Sequence, residues 1–364
     1  MKPFVRVSVS QLFIMLFISR MVVNVTYSSY TSDTHSLRYG AVSAVVSLAV
    51  TLLMLVPVYL MFKTNNGRTV TDNSYLLFKK WGAIIAVIYG LYFLWVLINT
   101  LSQFNIMVTN VLNPTASVLV LSLAVVVVSM YGAYKGIEAL GRASTVIFAF
   151  ISVALVILLC TLLAKADYLN LEPITFDNVP EITETVLSMI SKNACITAMA
   201  LLLPFASGKT KSGAVWWTVA VYISTAVIVT LITAVLGDYI ETQVFPVYSV
   251  TAVASLGVTK RLDGLFLGVW TAGMFVKISL FIYLLSACVK RIFGETISRW
   301  SILICGALVL VVAMWISSDE SMYKLIFNNY ILLCFTLLTG VIIPIFLAIV
   351  NKIKSIDKRN YRKE

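Results

Sequence analysis

Histidine occurs once in 364 residues, at His35, and charged residues make up only 12% of the chain against 60% hydrophobic ones. Each scarcity excludes something. A single imidazole leaves no metal centre of histidines and thiolates and no serine–histidine–acid set. The five cysteines (Cys160, Cys195, Cys288, Cys305, Cys334) contain no C-x-x-C pair and all fall within apolar runs, so no external disulfide is available. There is no P-loop, no dinucleotide glycine fingerprint and no H-E-x-x-H. The connections between apolar runs leave no room for a soluble domain. The chain is not expected to be an enzyme, to hold a cofactor or a metal, or to drive ATP-dependent transport by itself.

What is present is apolar length. Mean hydropathy is +0.95, and ten runs stand out at roughly 9–30, 38–62, 81–104, 115–134, 143–165, 185–206, 214–236, 262–288, 300–316 and 326–350. A run of about 20 apolar residues spans a bilayer as a helix, because lipid offers no partner for free backbone groups. The expected class is an all-α polytopic membrane protein with ten transmembrane helices. No small-residue cleavage site follows the first run, which is therefore expected to stay. Of the Lys and Arg residues outside the runs, 19 fall on the face that carries both termini and five on the other. The positive-inside rule places both termini in the cytoplasm. A single membrane domain at 1–351 and a basic tail at 352–364 follow, the tail serving as a topology anchor or touching anionic membrane lipid. Charge of +11 spread over short loops makes no nucleic-acid surface.

Ionisable groups at membrane depth are costly, so each marks a candidate site. Three stand well inside runs: Arg20 in the first, Lys192 in the sixth and Lys277 in the eighth. Asn24 follows Arg20 by one turn on the same helix face, and Asn193 follows Lys192 directly. The third run ends in Asn99, Thr100, Ser102, Gln103 and Asn105. Runs 1 and 6 stand five apart, as do runs 3 and 8. Paired interruptions in two halves of odd helix number point to an inverted repeat with a site at its interface. Plainer readings stand beside these. Lys192 can snorkel outward, and Arg20 can bond helix-end carbonyls as a structural plug. No carboxylate lies deep in any run. Unpartnered cations there repel one another and lose hydration, so either a lysine is neutral, or helix-end carbonyls or an anionic ligand group completes the site. The last favours a ligand with a carboxylate, such as an amino acid, and an ammonium at Lys277 takes the place of a sodium ion. Gly132/Gly136 and Gly264/Gly268 have G-x-x-x-G spacing, which close helix packing explains. Trp81, Trp216, Trp217 and Trp300 at run ends read as interfacial anchors.

One region is motif-specific. Phe245-Pro246 through Gly257 is followed by Arg261-Leu262-Asp263, Phe266, Trp270 and Phe275-Val276-Lys277-Ile278-Ser279. It resembles the B subunits of bacterial spore germinant receptors, the spore germination permeases of the amino acid–polyamine–organocation superfamily. Ser8 to Phe13 opening run 1 and Leu202-Leu203-Pro204-Phe205 closing run 6 agree with that resemblance. It implies a 5+5 inverted repeat (a LeuT-like fold), helices 1 and 6 unwound at mid-membrane, and a location in the bacterial cytoplasmic membrane (the spore inner membrane if the host sporulates). It also implies A and C partner subunits that receive the signal. The family's glycine-containing break in helix 1 is replaced here by Ile18 through Thr26, without glycine, and run 6 offers Ser191-Lys192-Asn193-Ala194.

The candidate ligand-binding residues are Arg20, Asn24, Lys192, Asn193, Lys277 and Trp270; the family-motif residues are Pro246, Arg261, Asp263 and Phe266. The leading reading is a receptor subunit that binds a small nutrient and triggers germination. The alternatives are a proton-coupled secondary transporter of amino acids or a related small solute, and a channel or scaffold subunit without a ligand.

Overall fold

Ser8 starts the first helix with a reciprocal cap. Its hydroxyl accepts from the Gln11 amide at 3.2 Å, and the Gln11 side chain accepts from the Ser8 amide at 3.4 Å, which satisfies donors that a helix start leaves open. The helix is α1 (Val9–Val25) in the computed structural model, which describes residues 7–26, 39–65, 67–112, 117–171, 178–254 and 262–360. Among them nine helical stretches are long and apolar enough to cross a bilayer. The 17-residue α1 is a shorter apolar helix, about 25 Å long against a hydrocarbon core of about 30 Å.

The order is α2 (Gly40–Thr64), α3 (Val70–Phe78), α4 (Ala83–Met107), α5 (Val118–Lys135), α6 (Ile137–Leu163), α7 (Val179–Ser191), α8 (Ala194–Leu202), α9 (Thr210–Leu236), α10 (Pro246–Val253), α11 (Asp263–Phe293), α12 (Glu295–Ser317), α13 (Glu320–Ile326), α14 (Asn329–Leu337) and α15 (Ile343–Asn360). Span 6 is α7 plus α8, and span 10 is α14 plus α15, joined by a π-turn at Leu338–Ile342. The helix continues past residue 351, so the basic tail begins as an extension of span 10. Residues 361–364 lie outside the described residues.

Of the two implied helix breaks, one is present and one is not. Helix 1 is not unwound: α1 is continuous from Val9, and the Thr26 amide still bonds the Val22 carbonyl at 3.0 Å. No glycine in Ile18–Thr26 lets the backbone leave the helical region freely. The outer end of the expected span, residues 27–30, lies outside the described residues, as does His35. Helix 6, by contrast, is interrupted at Lys192–Asn193.

α11 is the central post, packed on α4, α5, α12, α1 and α6. A Cβ on Gly273 would stand 2.3 Å from Cγ2 of Val22, and one on Gly132 would stand 2.8 Å from Oγ of Ser279. Bare backbone therefore sets how closely α1 and α5 approach α11. Gly264 and Gly268 correct the expectation drawn from their spacing, because nothing lies within 4 Å of a Cβ there. Trp217 is a second correction. Trp81, Trp216 and Trp300 are exposed, but Trp217 is buried; neighbours on a helix point about 100° apart, so only one of the pair can face lipid.

At one end of the bundle, Val7–Ser8 (β1) pairs in parallel with Ala206–Ser207 (β2), tying the start of α1 to the chain just past α8. At the α3 corner Asp72 pairs with Arg291 at 3.2 Å, and Nζ of Lys354 donates to the Leu77 carbonyl at 2.8 Å.

Candidate functional site

A helix that stops inside a membrane must find partners for its last four carbonyls. α7 does so completely. The Ser188 carbonyl accepts from the Lys192 amide at 3.4 Å and from the Ser191 hydroxyl at 3.0 Å. The Ile190 carbonyl accepts from the Asn193 amide at 3.0 Å. Two long-range side chains take the rest: Nη2 of Arg20 donates to the Met189 carbonyl at 2.7 Å, and the Thr336 hydroxyl to the Ser191 carbonyl at 2.9 Å. The break in span 6 is therefore held open by span 1 on one side and span 10 on the other.

Around the break lies a polar belt that carries no charge. Thr336 also bonds the Tyr92 hydroxyl at 2.9 Å, and Thr197 bonds Thr339 at 2.8 Å. The Tyr89 hydroxyl donates to the Thr339 carbonyl. Asn193 reaches the Tyr222 hydroxyl at 3.4 Å, which in turn bonds Thr51 at 2.7 Å. These threonines and tyrosines escaped the sequence reading because uncharged hydroxyls are common in membrane helices. The π-turn after Thr336 left no sequence mark either.

The donor capacity of Arg20 is not used up. Its side chain is 1% exposed, and Nε and Nη1 are buried without a hydrogen-bond partner among the described residues. Asn193 is fully buried, and its Oδ1 is likewise unpartnered. Lys277 is buried in α11 and makes no hydrogen bond or ion pair with a described residue. Lys277, half-buried Lys192, Ser191, Tyr92, Asn99 and Gln103 line one cavity of about 20 Å³, the space of about one water. The nearest acids along span 6, Glu181 and Glu184, lie two to three turns before the break. Arg20 thus keeps two donor nitrogens without a partner among the described residues, and the cavity lined by the two lysines must widen before anything larger than water enters.

The other expected residues separate from this cluster. Asn24 donates to the Thr225 hydroxyl of α9. Trp270 donates to the Thr26 hydroxyl at 2.8 Å and stacks on Phe104 with centroids 5.1 Å apart, so it joins α11 to the end of α1 and does not line the cavity of the two lysines. The polar series of span 3 is absorbed largely by packing: Asn99 accepts from the Tyr323 hydroxyl at 2.9 Å, and Asn105 donates to the Ser317 hydroxyl at 3.1 Å.

The family motif makes a structural corner. Pro246 occupies the first turn of α10, where its missing amide proton is not needed. The Tyr248 hydroxyl then donates to Asp263 at 3.0 Å, and its ring packs against Phe266. Nζ of Lys165, at the end of α6, donates to the Val253 carbonyl. Arg261 lies outside the described residues.

Comparison with known proteins agrees with this architecture. A family model described as spore germination protein matches residues 6–321. The chain is 21% identical over 356 residues to spore germination protein KB of Bacillus subtilis (strain 168), covering 95% of this chain and 94% of that protein. Among solved structures it is similar to a Na+-coupled sialic acid symporter in a substrate-bound outward-open state. That likeness has a TM-score of 0.62 over 96% of this chain and 90% of the other, at 13% identity, and speaks to the fold alone. The chain is a multi-pass, LeuT-fold membrane protein, and it belongs to the spore germination protein family.

Proposed function

We propose that this chain is the membrane subunit of a nutrient germinant receptor. It binds a small nutrient with a carboxylate, an amino acid before others, at the break of span 6, and signals to A and C partner subunits in a spore's inner membrane. Both termini and the tail face the cytoplasm. The observation that carries this reading is Arg20, a fully buried guanidinium with two nitrogens unpartnered among the described residues. Lys277 and Lys192 stand on the facing helices, and no acid is at that depth.

Thermal stability of the purified protein against amino acids, sugars, nucleosides and organic acids tests it. A ligand of the folded state stabilises by RT ln(1 + [L]/Kd), about 2.7 kcal/mol at a hundredfold excess. Stabilisation by an amino acid is expected, unchanged when K+ replaces Na+ because Lys277 supplies the cation. The shift should fall by about half or more in Arg20→Leu and Lys277→Met. No shift across the panel would sink the binding reading and leave Arg20 as a plug on the Met189 carbonyl.

The transporter alternative draws support from the shared fold with a symporter. Counter-flow of the stabilising ligand in sealed vesicles separates the two: a receptor binds without net flux.

A further inference from the structure

A second cavity lies away from the polar belt. It occupies about 90 Å³ between α1, α6, α9 and α11 and is walled almost wholly by carbon. Its deep wall is Ile18, Val22, Ala154 and Trp270, all buried. The single polar atom of Trp270 is turned away and spent on Thr26. A water placed here would find none of the two to four polar partners it needs, so the space is dry.

Its geometry says what enters. α6 and α9 each pack along α1 but meet one another only briefly, which leaves a wedge between them with α1 at its base. The residues at the wedge's mouth, Leu155 and Ile228 among them, are half-buried. The helix faces beside it are exposed apolar surface: Phe150, Val153 and Val156 on α6, and Val227 on α9. All of this lies within spans, where the adjoining phase is hydrocarbon. An unfilled apolar space forfeits dispersion contacts along its whole lining, and a hydrocarbon chain restores them with no polar group to desolvate.

We propose that this wedge is a lipid site that seats one alkyl chain of a bilayer phospholipid against α1 and Trp270. The chain packs on Ile18 and Val22, which flank Arg20 on α1, so it supports helix 1 from behind the polar belt.

The test uses a full-length variant that keeps Trp270 and changes Trp81, Trp95, Trp216, Trp217, Trp300 and Trp315 to Phe. It is reconstituted in phosphatidylcholine vesicles with or without bromine on the acyl chains. Bromine quenches indole emission at contact. A second variant keeping only lipid-exposed Trp315 sets the scale. Trp270 is expected to lose most of its emission in brominated vesicles despite its burial, and to regain it when Ala154→Phe or Leu155→Phe fills the wedge. The mouth variant, Leu155→Phe, serves if Ala154→Phe does not fold. Equal Trp270 emission in the two lipids, with Trp315 quenched, would overturn the proposal. So would quenching that survives both filling substitutions.

Discussion

Arg20 uses one of its three nitrogens and leaves two without a partner among the described residues, and the magnitudes decide what that means. Losing the bond to the Met189 carbonyl costs about 1–3 kcal/mol if that oxygen is left unsatisfied. Removing a buried, half-partnered guanidinium relieves a desolvation penalty of several kcal/mol. Arg20→Leu is therefore expected to melt at or above the wild-type temperature without ligand, while ligand affinity falls about 10- to 150-fold, the worth of a hydrogen bond to a charged group. A lower melting temperature for Arg20→Leu would instead mark a structural plug. Isothermal titration and unfolding of the same preparation give both numbers. At this scale intramembrane charges stand out in the sequence and hydroxyls do not. Arg20, Lys192 and Lys277 announce themselves because lipid tolerates so few ions. Thr336, which closes the same helix end, looks like any other threonine.

Span 6 breaks where a polar pair stands, and the neighbouring helices supply its missing partners. Thr336→Val removes the bonds to Ser191 and Tyr92. Membrane hydrogen bonds average about 0.6 kcal/mol, so a loss of about 1 kcal/mol in unfolding free energy is expected, with the π-turn beside it exchanging amide protons faster. Two glycines of α11 give a sharper contrast. Gly273→Ala drives a methyl into Val22 and should lower the melting temperature. Gly268→Ala meets open space and should be neutral or stabilising by up to about 1 kcal/mol through helix propensity. Equal effects at the two positions would contradict this packing. Element positions were legible from apolar length. Which glycine faces a neighbour was not, because identical spacing serves on a packed face and on an open one. Helix 1 was the reverse case: the family pattern implied a break there, and α1 is continuous from Val9 to Val25.

For the whole molecule, the charge bias of the loops predicts a sidedness that cysteine labelling reads directly. With the native cysteines changed to alanine, Lys209→Cys and Lys352→Cys should react only from the cytoplasmic face, and Lys165→Cys and Ser318→Cys only from the opposite one. Labelling of Lys165→Cys from the cytoplasmic side would overturn the arrangement. The polytopic helical architecture was readable because each span repeats the same demand on the backbone. The closed state of the cavity was not readable, since cavity volume depends on side-chain packing across helices far apart in sequence. One small feature governs how that cavity can open. The pairing of Val7–Ser8 with Ala206–Ser207 clasps the foot of the first helix to the foot of the sixth. The two halves of the molecule therefore share a hinge pin on that side: a swing that widens the site there carries both feet together as one lever, and only a motion that unzips the clasp can move either alone.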